Sequence, residues 1–147
     1  MATGLGSQPG RHRVQYEGLH CRLSAEQLGP YVMLLRISGS DVGEFGGAPM
    51  QVLSEWLADA SHVQFFIDAR AVRGASVDVS SEWAKWLAKT KEKFDSITML
   101  TGTPFIHITA EFVRRFSELE GIMRICTDPQ AFENALNEAL KFHWASL

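Results

Sequence analysis

The side chains best placed for chemistry lie between Asp68 and Trp83. Asp68 closes the apolar run Val63-Gln-Phe-Phe-Ile-Asp68, and Asp78, Ser80, Ser81 and Glu82 open an amphipathic segment that carries Trp83 and Trp86. A serine at the start of a helix has two uses. Its oxygen can cap the helix by accepting a backbone N–H, with Asp78 as a competing cap. It can instead accept a phosphate, which the helix dipole and free N–H groups hold while about two negative charges are added beside Asp78 and Glu82. Asp68 is either a turn aspartate paired with Arg70 or an acid at the carboxyl end of a strand, where α/β sheets present ligands. No second acid or base stands beside it in sequence, as acid–base catalysis would require. Trp83 shares a stripe with Trp86, Leu87 and Phe94 and so reads as core; partly exposed, it would anchor a partner.

Other constellations are weaker. The histidines, at 12, 20, 62, 107 and 143, fall in separate segments without His-x-x-x-His spacing, so no metal site is expected. The glycine-rich stretch Gly39 to Gly47 follows a strand and precedes a helix, the context of a phosphate cradle, but it lacks a Gly-Lys-Ser/Thr ending and brings Asp41 and Glu44 where a phosphate would sit. It reads as a turn. Arg114, Arg115 and Arg124 read as solvated surface. Cys21 and Cys126 lie in separate strand-like segments and are expected as free thiols in a reducing compartment. With no paired nucleophile and base, no paired carboxylates and no cofactor motif, the chain is expected to be no enzyme and to carry no cofactor.

The elements that must position these residues follow from periodicity. Residues 19–24 and 31–38 read as an antiparallel pair around Gly29-Pro30. Met50, Leu53, Trp56, Leu57 and Ala60 recur at helical spacing. The third strand spans 63–69 and a helix runs from about 80 to 94. Ile97-Thr-Met-Leu-Thr101 is the fourth strand. Thr103-Pro104 is a good helix start, with Phe105, Ile108, Phe112, Phe116 and Leu119 keeping helical spacing to a stop near Gly121, although Phe105-Ile-His-Ile108 reads equally as extended. A last strand, 123–127, precedes a helix opened by Asp128-Pro129. The expected fold class is α/β: a single mixed, mostly parallel sheet of about five strands with four helices.

At 147 residues one domain is expected, spanning 12–147 behind a disordered leader at 1–11 that lacks the apolar core of a signal peptide. A net charge of -3 argues against nucleic-acid binding. No run approaches the roughly 20 apolar residues of a membrane span, so a cytoplasmic location is expected.

The order of elements and two local patterns resemble the STAS domain family of bacterial anti-sigma factor antagonists. Phe65-Phe-Ile-Asp68 followed by Asp78-Val-Ser-Ser81 is similar to that family's strand, loop and Asp-Ser-Ser-Gly helix start. Phe112-Val-Arg-Arg-Phe-Ser-Glu-Leu-Glu-Gly-Ile-Met-Arg-Ile125 is similar to its third helix, closing glycine and final strand. Val79 between the aspartate and the serines, and Glu82 in place of glycine, depart from the pattern. The resemblance implies a noncatalytic bacterial signalling module. Ser80 or Ser81 would be the phospho-acceptor, Asp78 would stand in for the motif's aspartate, and the partner would be a kinase-like anti-sigma factor. Docking is expected through the connection between the third strand and second helix, residues 69–81, and the exposed side of that helix. The alternative is a small-molecule or lipid-binding domain, with a pocket near Asp68, Thr101 and Thr127 lined by Phe65, Phe105 or Phe112. An exposed edge strand leaves homodimer formation open.

Overall fold

The computed structural model describes residues 12–145, with side chains through residue 141. The expected leader at 1–11 lies outside the described residues. Among the described residues the strands are β1 (Arg13–Glu17), β2 (Cys21–Gly29), β3 (Val32–Asp41), β4 (Val63–Ala75), β5 (Phe94–Thr101) and β6 (Met123–Cys126). The helices are α1 (Ala48–Leu57), α2 (Val77–Thr90), α3 (Pro104–Phe116) and α4 (Pro129–Ala145). The six strands form one sheet in chain order, antiparallel from β1 to β3 and parallel from β3 to β6. The α/β class with a mixed, mostly parallel sheet is therefore as expected, with six strands rather than five. The extra strand is β1, where only Val14 and Tyr16 are apolar; Tyr16 is buried opposite Leu23 while its neighbours face outward.

Right-handed crossovers that advance one strand at a time in one direction must place every connecting helix on the same face. Accordingly α1, α2 and α3 cover one side of the sheet, over Met33, Leu35, Phe65, Ile67 and Ile97. The chain then crosses to the other side, where α4 packs Phe132 and Leu136 on Val32, Leu34 and Phe66. Strands β3 and β4 are apolar toward both faces because both are covered near their starts.

Several boundaries differ from the sequence reading: β2, expected over 19–24, spans Cys21–Gly29, and β3, expected to end at 38, runs to Asp41. Strand β4 continues six residues past Ala69 to Ala75, paired with the far end of β3; a bulge in the ladder, where Arg36 and Ser38 face Asp68 and Ala71, breaks the period of two and returns Val72 to the side of Ala69, where it is buried. Helix α2 then starts at Val77, so the loop expected over 69–81 is reduced to Ser76. Residues 104–108 are helical: Thr103 caps α3, its Oγ1 accepting the Ile106 N–H at 3.1 Å, with Pro104 in the first turn. Helix α3 stops at Phe116, short of Gly121, and Glu118 follows at φ 56°.

Helix α3 turns its long apolar side chains outward. Of the helically spaced Phe105, Ile108, Phe112, Phe116 and Leu119, Leu119 is buried just past the helix, and the other four are 61%, 68%, 56% and 54% exposed. The helix buries Ile106, Ala110 and Val113 instead.

Candidate functional site

The carboxyl end of β3 leads through the loop 42–47 into α1, that of β4 through Ser76 into α2, and a groove of about 420 Å³ lies between the two helix starts. Strand β3 ends at Asp41, whose buried carboxylate accepts the Gly43 N–H at 3.1 Å and turns the chain back. Gly43 takes φ 90°, a conformation side chains disfavour, so glycine is what allows the turn. Glu44 carries the same loop to the hairpin between β1 and β2: its carboxylate accepts the Leu19 N–H at 2.7 Å and the His20 N–H at 2.9 Å. These bonds, that from His20 foremost, hold the Glu44 carboxyl below the ordinary range against the opposing effect of desolvation. The acids of the glycine-rich stretch thus build the turn itself, and the segment is one wall of the groove.

The opposite wall is the first turns of α2. Ser76, which sequence reasoning passed over, is the cap; its Oγ accepts the Val79 N–H at 3.2 Å. Asp78, Ser80 and Ser81 all lie within the helix, which corrects the expectation that one of them caps it. Asp78, Glu82 and Trp83 line the groove together with Val42, Phe45 and Met50. Asp78 and Glu82 are exposed and Trp83 is half-buried against Trp86, their rings 5.8 Å apart.

The remaining sequence-selected residues go elsewhere. Ser81 is half-buried on the helix beside the groove but does not line it. Ser80 faces a separate apolar cavity of about 90 Å³ between α2, α3 and the sheet, shared with Ile37, Val79, Trp83, Ile106 and Ala110. None of Phe65, Phe105 or Phe112 lines that cavity: Phe65 lies in the core under Trp86 and Phe94, and the other two face outward. Asp68 sits within β4 rather than at its end and points to the α4 side. There it binds Arg70 Nε at 3.0 Å and faces Arg36 Nε at 3.6 Å, and Arg70 Nη2 reaches Glu133 at 2.6 Å. The Arg70-paired reading of Asp68 is the one observed. His107 is held between Thr101 Oγ1 at 3.2 Å and Glu111 at 3.5 Å.

Sequence reasoning missed Val42 and Val77, 54% and 84% exposed beside the groove acids, since a lone valine near a turn carries no signal. For α3 a signal existed: Ile106, Ala110 and Val113 form a second apolar stripe at helical spacing, with an alanine small enough for close packing.

No family model and no curated protein matches the sequence. Among solved structures, the chain is similar to an uncharacterized DUF3478-family protein with a SpoIIAA-like fold from Shewanella loihica PV-4. The TM-score is 0.59 and identity 16%, over 82% of this chain and 97% of that one. It is also similar to an anti-sigma factor antagonist from Mycobacterium paratuberculosis, with TM-score 0.49 and 14% identity over 90% of this chain and 99% of that one. A third similar structure is the anti-sigma factor antagonist SpoIIAA in its unphosphorylated form, with TM-score 0.47 and 14% identity over 77% and 95% of the respective chains. At such identity the first likeness speaks to the path of the backbone, and on that ground the chain carries a divergent SpoIIAA-like, STAS-like fold.

Proposed function

We propose that this protein is a noncatalytic signalling module that docks another protein in the groove between the starts of α1 and α2. The observation that carries the reading is the convergence of Asp78, Glu82 and Trp83 with Val42 on one concave surface at the carboxyl ends of two parallel strands. Two exposed carboxylates beside an apolar floor suit a partner segment that offers an apolar anchor flanked by Lys or Arg. In an anti-sigma antagonist-like system of the bacterial cytoplasm that partner is a kinase-like anti-sigma factor. Ser81 is the better phospho-acceptor of the two serines, because Ser80 turns toward the apolar cavity. A phosphate there would deepen the negative charge next to the groove and change which partner docks.

The test is photocrosslinking in the native cells with a reactive residue at Glu82 or, as control, at exposed Glu138 on α4. Capture of one protein at position 82 but not 138, abolished by Trp83→Ala, supports the reading; phosphate on Ser81 of the bait adds the switch. The same capture at both positions, or none, refutes it.

The apolar cavity between α2 and α3 favours a second reading, a module for a small apolar ligand. Its volume of about 90 Å³ falls short of the roughly 300–1,000 Å³ of typical ligand pockets, so the two helices would have to part to admit anything larger than a small ring. Native mass spectrometry of protein from fresh lysate decides it: a bound apolar species supports this reading, and only apo protein counts against it.

A further inference from the structure

We propose that α3 is a self-association surface, through which two copies of this chain pack their α3 helices antiparallel. Phe105, Ile108, Phe112 and Phe116 form a continuous stripe on the side of α3 turned away from its buried residues, and the rings of Phe112 and Phe116 stack on each other at 5.9 Å. A large exposed aromatic side chain costs solubility, and four apolar residues in a row mark an interface.

Area and pattern both point to a second copy. With about 200 Å² for a whole aromatic side chain, the observed exposures amount to roughly 450 Å² of apolar surface per copy, or about 900 Å² for two. The rim of Thr109 and Arg115 brings the total to the order of 1,000 Å² that a specific interface must clear, and a single patch of this size on one copy is of the kind that is often functional. The spacing is nearly palindromic about residues 110 and 111: reversed, the stripe places Phe105 of one copy opposite Phe116 of the other and Ile108 opposite Phe112. Such self-complementarity is what an isologous twofold contact requires. The flank of the helix carries both signs of charge, with Glu111 bridging Arg114 at 3.3 Å and His107 at 3.5 Å, so no single-sign rim selects an oppositely charged surface.

The experiment is sedimentation equilibrium of the full chain from low to high micromolar concentration, for wild type, Phe112→Asp, Phe105→Asp and the β1 edge-strand variant Gln15→Pro. Circular dichroism and the urea midpoint check that each variant is folded. The expected result is a wild-type dimer whose Kd rises by about thirtyfold or more in Phe112→Asp, as loss of a central aromatic anchor does, and rises in Phe105→Asp as well. Gln15→Pro leaves it unchanged. Should Phe112→Asp fail to fold, Phe105→Asp on the first turn gives the same reading. A wild type that stays monomeric, a dimer that both aspartate variants leave intact, or a monomer that sediments with phosphatidylglycerol vesicles overturns the proposal.

Discussion

Helices α2 and α3 begin alike and end as opposites. Each follows a parallel strand, lies on the same face of the sheet and starts at a hydroxyl cap, Ser76 or Thr103. Each also carries an aromatic stripe at helical spacing. In α2 the stripe is core: Trp86 packs edge-on to Phe65 at 6.1 Å, against Phe94 at 6.2 Å, and donates its Nε1–H to Ser54 Oγ at 2.8 Å. In α3 the aromatic residues are solvent-facing. The difference comes from position, since α2 is flanked by α1 on one side and α3 on the other. Helix α3 is outermost, above the four-residue edge strand β6. Its inner side meets α2 closely, with fully buried Ala84 and Ala110 near the contact and Ser117 Oγ donating to the Ala84 carbonyl at 2.7 Å. Large rings would hold the helices apart there, so the small residues face in and the phenylalanines face out. An apolar stripe therefore announces that something will cover it, without saying what.

Trp86→Ala is the change that would break this contrast most forcefully. Removing a buried indole should cost about 3–5 kcal/mol in urea unfolding. Phe112→Ala, compared at a concentration where both proteins are monomeric, should cost less than about 0.5 kcal/mol, as surface substitutions do. Equal costs would mean that both stripes are core. The helix starts offer a finer comparison. Ser76→Ala should lose about 1 kcal/mol by uncapping α2, while Ser81→Ala, inside the helix, should change stability by a few tenths or less; the reverse order would move the cap back into the Asp78-Val-Ser-Ser81 motif. The smallest effect is on the thiols. Burial, reinforced by Asp41 and Glu44, pushes Cys21 from 9.0 up to about 12, whereas half-buried Cys126 is raised less far. Iodoacetamide at pH 8 should then label Cys126 before Cys21. Because the folded value lies above the unfolded one, the stabilisation from Cys21 is full below pH 9 and is lost as pH climbs toward 12. A Cys21→Ala protein should show a flatter decline over that window.

Much of this architecture was legible in the residues. The runs at 31–38, 63–69 and 97–101 are long and apolar enough to demand a covered sheet, and alternation of strand and helix demands parallel neighbours. Strand β1 escaped because two inward residues in five are too few to stand above chance. The extension of β4 escaped because a bulge after Asp68 breaks the alternation, leaving Arg70 and Ala71 both exposed before Val72 turns inward. Of the candidate groove, Asp78, Glu82 and Trp83 stand out in the sequence because they sit at a strand-to-helix handover. Ser76 was not, since several hydroxyl residues compete within six positions and only the backbone decides which one caps. The orientation of α3 was decided by helix order across the sheet, a long-range property that no local window contains.

The most direct test of the contrast is hydroxyl-radical footprinting of the dilute protein, read residue by residue by mass spectrometry. Phe105, Phe112 and Phe116 should oxidise readily at the lowest concentration, and become protected as concentration rises, while Phe65, Trp86 and Phe94 stay protected throughout. Phenylalanines of α3 that remain as protected as Trp86 in the dilute monomer would contradict the account, because the stripe would then be buried within one chain.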